Sequence, residues 1–259
     1  MLYNILAIGD VVGGCGVSCL ERHLRAVKKL KNIHFTVVNG ENAAMVGLTP
    51  NDAERIFSAG ADVITLGNHT FGKMQITDYL DDCPYILRPH NLGARVPGRG
   101  YGVFDCGRAR IAVMNLIGRC DLAFHADNPF KMADELLKSD EKPTFTLLDF
   151  HAEATSEKLA MGYFLDGRVS AMWGTHTHVA TADETILPNG TGYQTDLGMT
   201  GPIVSVIGVR PEQSIANFRG ELTARYEVAP GPCRLHGLAL TIDTKTRRCT
   251  QIERVVADG

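Results

Sequence analysis

The feature of the sequence that most constrains the fold is an alternation of short apolar runs with amphipathic segments of helical period. The runs predicted to form strands are 4–10, 34–40, 62–68, 110–118, 144–150 and 169–174. The segments predicted to form helices are 20–30, 49–60, 74–82 and 152–165. Because strands separated by helices are covered on both faces, this pattern predicts a largely buried α/β sheet.

The C-terminal part of the chain has a different pattern. Residues 223–230, 233–243 and 250–256 are predicted to form antiparallel strands, with a turn at 244–248. A mixed sheet, or two sheets packed on each other, therefore fits better than a purely parallel sheet. No repeat, low-complexity tract or linker interrupts the chain, so we expect one domain over residues 1–259.

Composition argues against several classes of protein. The 259 residues carry a formal net charge of −3, whereas an extended nucleic-acid-binding surface needs a basic excess. The seven cysteines are odd in number and form no Cys-x-x-Cys pair, as is usual in a reducing compartment. There is no signal-peptide pattern and no run long enough to cross a bilayer, so we expect a cytoplasmic protein with no membrane partner.

Polar residues able to bind a metal follow five of the predicted strands. They are Asp10, Glu41, Asn42, Asn68, His69, His151, His176 and His178. Each of them alone is more simply explained as a turn, loop or core residue. As a set they are stronger, because ligands of α/β proteins bind in the crevice beyond the carboxyl ends of the strands.

The types of these side chains indicate which metals would bind. Imidazole combined with carboxylate and amide oxygen suits Fe, Mn, Zn or Co better than Ca or Mg alone. The seven candidates other than His69 are too many for one ion, but two ions that share Glu41 or Asp10 would use them all. A two-metal site suits in-line displacement at phosphorus.

The segment after the last of these strands holds two histidines separated by one residue. If the segment stays extended, His176 and His178 point to the same side and can face one crevice. Thr181 and Asp183 lie just downstream, and we expect them to orient the two rings.

Six segments of the chain resemble a known family. They are IGDVVG, VVNGENAA, TLGNHTF, LLDFHAEATSEK, WGTHTHVATAD and TDLGMTGP. Their order and spacing resemble the calcineurin-like metallophosphoesterases, most closely the bacterial YmdB-like branch of small phosphodiesterases that act on cyclic nucleotides. The resemblance spans most of the chain. It implies an α/β fold, a four-layer α-β-β-α sandwich of two mixed sheets flanked by helices, with two metals at the carboxyl ends of the strands.

The resemblance also implies a role for each residue. One metal would be held by Asp10, Glu41, Asn42 and His178. The other would be held by Asn68, His151 and His176, with Glu41 bridging both. The metals favoured are Fe or Mn, with Zn or Co also compatible. A hydroxide that bridges them would attack phosphorus, and His69 would act as the general acid.

The chain departs from the wider pattern at two places. The superfamily begins with Gly-Asp-x-His-Gly, whereas Val12 occupies the histidine position here, and Asn42 would fill the gap as it does in the YmdB-like branch. That branch usually carries Trp-Asp where this chain has Phe71-Gly72. The second departure affects substrate contacts or loop geometry rather than metal ligands.

The expected function is hydrolysis of a phosphoester, above all a cyclic nucleotide, by a metal-dependent phosphodiesterase. Three alternatives remain open. Residues 67–73 match the P-loop pattern Gly-x-x-x-x-Gly-Lys of nucleotide-binding proteins, but the next residue, Met74, offers no hydroxyl to a nucleotide-bound Mg²⁺. An amidohydrolase also uses a His-x-His pair, although normally near the start of the chain. The third is a metal-dependent cyclic-nucleotide-binding or signalling protein without significant turnover. The sequence also leaves open whether the chain forms a homo-oligomer.

Overall fold

The computed structural model describes residues 1–122, 125–138 and 140–259. The strands are β1 (Leu2–Ile8), β2 (Asp10–Val11), β3 (Phe35–Asn39), β4 (Val63–Thr65), β5 (Ile86–Leu87), β6 (Tyr101–Asp105), β7 (Arg110–Ile117), β8 (Phe145–His151), β9 (Ala171–Thr175), β10 (Thr185–Ile186), β11 (Gly192–Gln194), β12 (Met199–Pro202), β13 (Cys233–Asp243) and β14 (Cys249–Asp258). The helices are α1 (Gly13–Leu30), α2 (Pro50–Ala59), α3 (Ile76–Asp82), α4 (Pro129–Leu137), α5 (Thr155–Leu165) and α6 (Pro211–Phe218). None of the helices in these described ranges has both the length and the apolar character needed to span a bilayer.

The strands form two mixed sheets. The first has the order β2-β12-β13-β1-β3-β4-β5, with β14 paired to β13. In it β1, β3, β4 and β5 are parallel, whereas β13 runs antiparallel to β1. The second sheet has the order β10-β11-β9-β8-β7-β6, with β7, β8, β9 and β11 parallel and antiparallel strands at both edges. The prediction of two mixed sheets is confirmed.

The two sheets pack face to face, and helices cover their outer faces. Val37 of β3 and Leu147 of β8 belong to one apolar cluster between the sheets. Leu24 of α1 lies in a second cluster on the outer face of the first sheet. Leu148 of β8 and Met161 of α5 belong to a third, on the outer face of the second sheet. Because adjacent strand residues point to opposite faces, one strand serves two of these clusters, and the four-layer sandwich is confirmed.

One predicted helix start and one predicted strand differ markedly from the structure. Helix α1 begins at Gly13 rather than at residue 20, within a glycine-rich stretch that is a poor helix former by propensity. Close packing explains the small residues there, because a Cβ on Gly16 would lie 2.5 Å from the Thr200 carbonyl oxygen of β12. Residues 223–230 do not form a strand, and only an isolated bridge joins Val228 to Val209. The backbone of this segment is held instead by the side chain of Gln213, which donates to the Arg225 carbonyl oxygen and accepts from the Glu227 N–H.

A buried ion pair connects α5 to the loops that follow β9 and β11. Lys158 Nζ lies 2.6 Å from Asp196 Oδ2, and both side chains are about 1% exposed. The Asp196 carboxylate also accepts hydrogen bonds from the backbone N–H groups of Thr177 (3.1 Å) and Gly198 (2.8 Å). Thr177 lies between His176 and His178, so the pair fixes the backbone that carries both imidazoles.

The neighbouring residue of α5 holds a third loop. Both carboxylate oxygens of Glu157 accept from the backbone N–H of Arg119 at 3.0 Å, and one also accepts from Cys120. These two residues lie in the loop that follows β7. The Glu-Lys pair of the TSEK segment thus anchors strand-end loops on both sides of β8.

We predict that Lys158→Met lowers the free energy of unfolding by about 3–5 kcal/mol, because it leaves the Asp196 carboxylate buried without a counter-charge. Urea unfolding of chelator-treated protein, followed by circular dichroism, measures this loss. Lys131→Met is the control, since Lys131 is exposed and its pair with Glu135 spans 3.8 Å. A loss for Lys158→Met as small as that of the control would show that the buried pair does not hold the loop.

Candidate metal centre

The structure brings the eight candidate residues from five strand ends into one cluster. Asp10 lies in β2 and His151 is the last residue of β8, whereas the other six lie within four residues after the ends of β3, β4 and β9. The parallel strands β3, β4, β8 and β9 all end at this edge, so the loops of both sheets converge there. The structure therefore brings the predicted candidates together at one edge of the two sheets.

One half of the cluster is centred on the Nε2 atom of His151. This atom lies 2.8 Å from Asn68 Oδ1, 3.1 Å from Glu41 Oε1 and 3.1 Å from His176 Nδ1. The potential ligand atoms of Glu41, His151 and His176 all lie within 4.8 Å of one another. Four donor atoms of the types preferred by transition metals therefore converge on one point.

The other half of the cluster contains Asn42, His178 and Asp10. The side-chain nitrogen of Asn42, Nδ2, donates a hydrogen bond to Glu41 Oε1 at 3.1 Å and lies 3.1 Å from His178 Nε2. His178 Nε2 is 3.8 Å from Asp10 Oδ1, an oxygen that is buried and has no hydrogen-bond partner within the described residues. An unpaired buried carboxylate oxygen is costly, so the donor set fits a cation at this point.

The loop after β4 has room only for glycine at position 67. A Cβ at this position would lie 2.3 Å from both Glu41 Oε2 and His151 Nε2, so any side chain would fill the centre of the cluster. The same Glu41 oxygen accepts a hydrogen bond from the backbone N–H of His69 at 3.0 Å. The backbone of this loop therefore donates to a carboxylate, whereas the backbone of a P-loop donates to nucleotide phosphates, and this argues against the P-loop alternative.

The two-sheet fold argues against the amidohydrolase alternative, which would require a barrel.

The His-x-His segment is not extended as expected. Strand β9 ends at Thr175, and His176 and His178 have positive φ angles of 108° and 64°. Non-glycine residues adopt this region rarely, and surrounding contacts must hold them there. The backbone N–H of His176 donates to Asp10 Oδ2 at 3.2 Å, and His178 Nδ1 lies 2.9 Å from the Ile207 carbonyl oxygen. The two rings consequently diverge towards different halves of the cluster.

The expectation that Thr181 and Asp183 orient the histidine rings was wrong. The Thr181 hydroxyl donates to Asp183 Oδ1, and Asp183 accepts from the backbone N–H and hydroxyl of Thr195. Short polar side chains bind the nearest backbone groups, so this pair braces its own loop against Asp196.

Other groups contact the rings. His176 Nε2 lies 2.9 Å from Glu153 Oε2, and His151 Nδ1 lies 2.9 Å from the Thr175 hydroxyl. The position of Glu153 two residues after His151 was a usable sequence signal that we missed. The Ile207 carbonyl that contacts His178 gave no signal, because it is a backbone group on a distant loop.

Burial and neighbouring charges shift the pKa of four groups in the cluster, Asp10, Glu41, His151 and His176. Burial raises the pKa of Asp10 to about 6, although His178 and His151 oppose this. Burial also acts to raise the pKa of Glu41, but the charge and hydrogen bond of His151 lower it to about 2. For His151, burial disfavours the proton, yet Glu41 and Asp10 raise the pKa to about 9. Burial and the charge of His151 lower the pKa of His176 to about 3. A proton on His151 therefore compensates Glu41, and any cation bound here must displace it.

His69 and the Phe71-Gly72 pair, where this chain departs from the family pattern, lie beside the cluster. The partly buried ring of His69 has Nε2 3.3 Å from the Asn68 amide nitrogen. Phe71 packs against the apolar cluster of the first sheet. A Cβ on Gly72 would lie 2.9 Å from Val46, so the loop packs where an acidic side chain would otherwise project.

Comparison with known proteins agrees with this geometry. A sequence model of the YmdB-like protein family matches residues 6–255. The chain is 46% identical over 255 residues to the 2′,3′-cyclic-nucleotide 2′-phosphodiesterase of Bacillus subtilis strain 168, covering 98% of this chain and 96% of that protein.

Two crystal structures have closely similar folds. A phosphatase from Mycoplasma pneumoniae superposes with a TM-score of 0.93 at 34% identity, covering all of this chain and 94% of that one. A hypothetical protein from Thermus thermophilus superposes with a TM-score of 0.91 at 36% identity, covering 99% of both chains. The fold is metallophosphoesterase-like, which implies bound metal ions. The chain belongs to the YmdB-like family.

Proposed function

We propose that this chain is a dinuclear metal-dependent phosphodiesterase whose substrate is a 2′,3′-cyclic nucleotide. The observation that carries the proposal is the convergence of three donor atoms on His151 Nε2 at 2.8–3.1 Å. The name of the Bacillus subtilis relative supports this substrate class. By analogy with that name, water would be added across the P–O2′ bond, leaving a 3′-phosphate and a free 2′-hydroxyl.

The proposed ligands divide into two sets that share Glu41. Asn68, His151 and His176 belong to the first set, and Asp10, Asn42 and His178 to the second. Glu41 is the better bridge because its Oε1 is 3.1 Å from His151 Nε2 of the first set and accepts a hydrogen bond from Asn42 Nδ2 of the second at 3.1 Å. Asp10 Oδ1, in contrast, is 3.8–3.9 Å from His178 and His151. The mixture of imidazole and oxygen donors favours Fe or Mn. Since both sheets supply ligands, the proposal treats residues 1–259 as one catalytic domain.

The chain's own groups have separate tasks in the proposed reaction. Metal ions bound here would supply Lewis acidity at the phosphoryl group and water activated for attack at neutral pH. His69, on the loop beside Asn68, would donate the proton that the leaving 2′ oxygen requires. Gly67 leaves room at the centre of the cluster, and the anchored loops hold the imidazoles in place before substrate binds.

We predict that chelator-treated protein loses turnover of 2′,3′-cyclic AMP and regains it with added Mn²⁺ or Fe²⁺, and that reconstituted protein holds about two ions per chain.

Glu41→Gln keeps the shape of the side chain but removes the charge, so it should lower both metal content and rate. Glu212→Gln, an exposed change on α6, is the control. Elemental analysis and a chromatographic assay measure both quantities, and a 2′-phosphate as sole product would contradict the proposed bond cleavage.

We predict that His69→Ala slows hydrolysis of 2′,3′-cyclic AMP by about 10²–10⁴-fold while metal content stays near that of the unmodified protein. The same variant should lose much less activity on bis(p-nitrophenyl) phosphate, since p-nitrophenolate leaves without a proton. An equal loss on both substrates would show that His69 is not the general acid.

The rival function is a metal-dependent nucleotide-binding or signalling protein. Fully metal-loaded protein that binds 2′,3′-cyclic AMP in calorimetry, yet shows no turnover with Mn²⁺ or Fe²⁺, would establish that function and overturn the proposed one.

A further inference from the structure

A carboxylate that binds no proposed metal lies directly behind His151. Asp149 has no exposed surface and belongs to the apolar run that forms β8. Since alternate residues of a strand share a face, Asp149 and His151 both point between the two sheets. Burying a carboxylate raises the free energy of the folded state unless hydrogen-bond donors compensate it. The donors around Asp149 should therefore indicate what this carboxylate does.

Three neighbours donate hydrogen bonds to this carboxylate. The Thr65 hydroxyl of β4 donates to Oδ2 at 2.5 Å, and the Asn39 amide of β3 donates to the same oxygen at 3.3 Å. The Thr175 hydroxyl of β9 donates to Oδ1 at 2.7 Å. Asp149 thus joins both sheets, and two of its three partners have no contact with a histidine ring.

Thr175 differs because its oxygen also lies 2.9 Å from His151 Nδ1. A hydroxyl has one proton, and here it is given to Asp149, so towards His151 the oxygen can only accept. Nδ1 of His151 must then carry a hydrogen. Asp10 Oδ1 is 3.9 Å from Nδ1, too far to take over this role by a direct hydrogen bond.

This arrangement determines which nitrogen of His151 is available as a ligand. With the hydrogen on Nδ1, the neutral ring presents the Nε2 lone pair to Asn68, Glu41 and His176, where the donor atoms converge. The ring is also fixed in rotation, because Nδ1 has a directed partner on β9.

We propose that Asp149 and Thr175 are positioning residues that act as a relay, Asp149–Thr175–His151, to set the tautomer and ring orientation of His151 for metal binding. This inference rests on the metal-ligand role proposed above for His151. The relay does not touch substrate. Its effect is on metal affinity, and on rate only through the metal.

The chain offers a matched pair of variants. Thr175→Val and Thr65→Val each remove one hydroxyl from the same buried carboxylate and keep the side-chain shape. Only Thr175→Val removes the partner of His151 Nδ1. Thr175→Ser keeps the hydroxyl and serves as the rescue variant, and Asp149→Asn tests the far end of the relay.

Metal affinity of chelator-treated protein is measured with Zn²⁺ and Mn²⁺ in competition with a chromophoric chelator. We expect Thr175→Val to weaken binding of one of the two ions by about 10–100-fold. Thr65→Val should change it little, Thr175→Ser should restore it, and Asp149→Asn should weaken it. Thermal melts of the metal-free variants check that all are folded.

Nitrogen-15 NMR of Zn²⁺-loaded protein gives a second readout that a purely structural role would not affect. The unmodified protein and Thr65→Val should show a slowly exchanging Nδ1–H on His151, and Thr175→Val should lose it. Equal metal affinities for Thr175→Val and Thr65→Val would overturn the relay even if the enzyme is active. If the unmodified protein binds no metal, the proposed function fails instead.

Discussion

The constraint on which the rest of the structure depends is the burial of two carboxylates at one point. Asp10 and Glu41 are at most 1% exposed, and their charges cannot stay in an apolar interior without compensation. Three imidazoles surround them, and one oxygen of Asp10 has no hydrogen-bond partner in the described part of the chain. The cluster is therefore built for cations, and the surrounding fold holds its members at the required distances.

The two sheets are aligned at this point by polar contacts as well as by apolar packing. Asn115 of the second sheet donates to the carbonyl oxygens of Leu66 and Leu87, each at 2.7 Å, next to the strand ends of the first sheet. Asp149 makes the corresponding connection to Thr65 on β4. Directed hydrogen bonds fix the register of one sheet against the other more tightly than apolar contacts do. This matters because neither sheet alone supplies the complete set of proposed ligands.

Much of this could be predicted from the sequence, for a physical reason. Apolar runs and the polar residues that end them are local patterns, so the strand-end cluster from Asp10 to His178 was visible before the fold. The four-layer sandwich and the roles of the ligands came from the family resemblance. The helical stretch from Gly13 was missed because packing, and not propensity, selects its glycines.

Features that depend on tertiary contacts could not be read in the same way. The left-handed backbone at His176 and His178 is held by Asp10 and by the Lys158–Asp196 pair, which are far away in sequence. Asp149 looked like one more residue of a buried strand, since its partners on β4 and β9 become neighbours only after folding. Thr181 was assigned to the wrong partner because proximity in sequence does not indicate which side chain reaches a ring.

This cluster is proposed to bind two cations that share Glu41. Anomalous diffraction at the manganese edge from crystals of Mn²⁺-loaded protein tests it most directly. We expect two peaks about 3.5–4 Å apart with Glu41 between them. One peak should lie beside His151 and His176, and the other beside Asp10 and His178. A single peak, or peaks remote from Glu41, would contradict it.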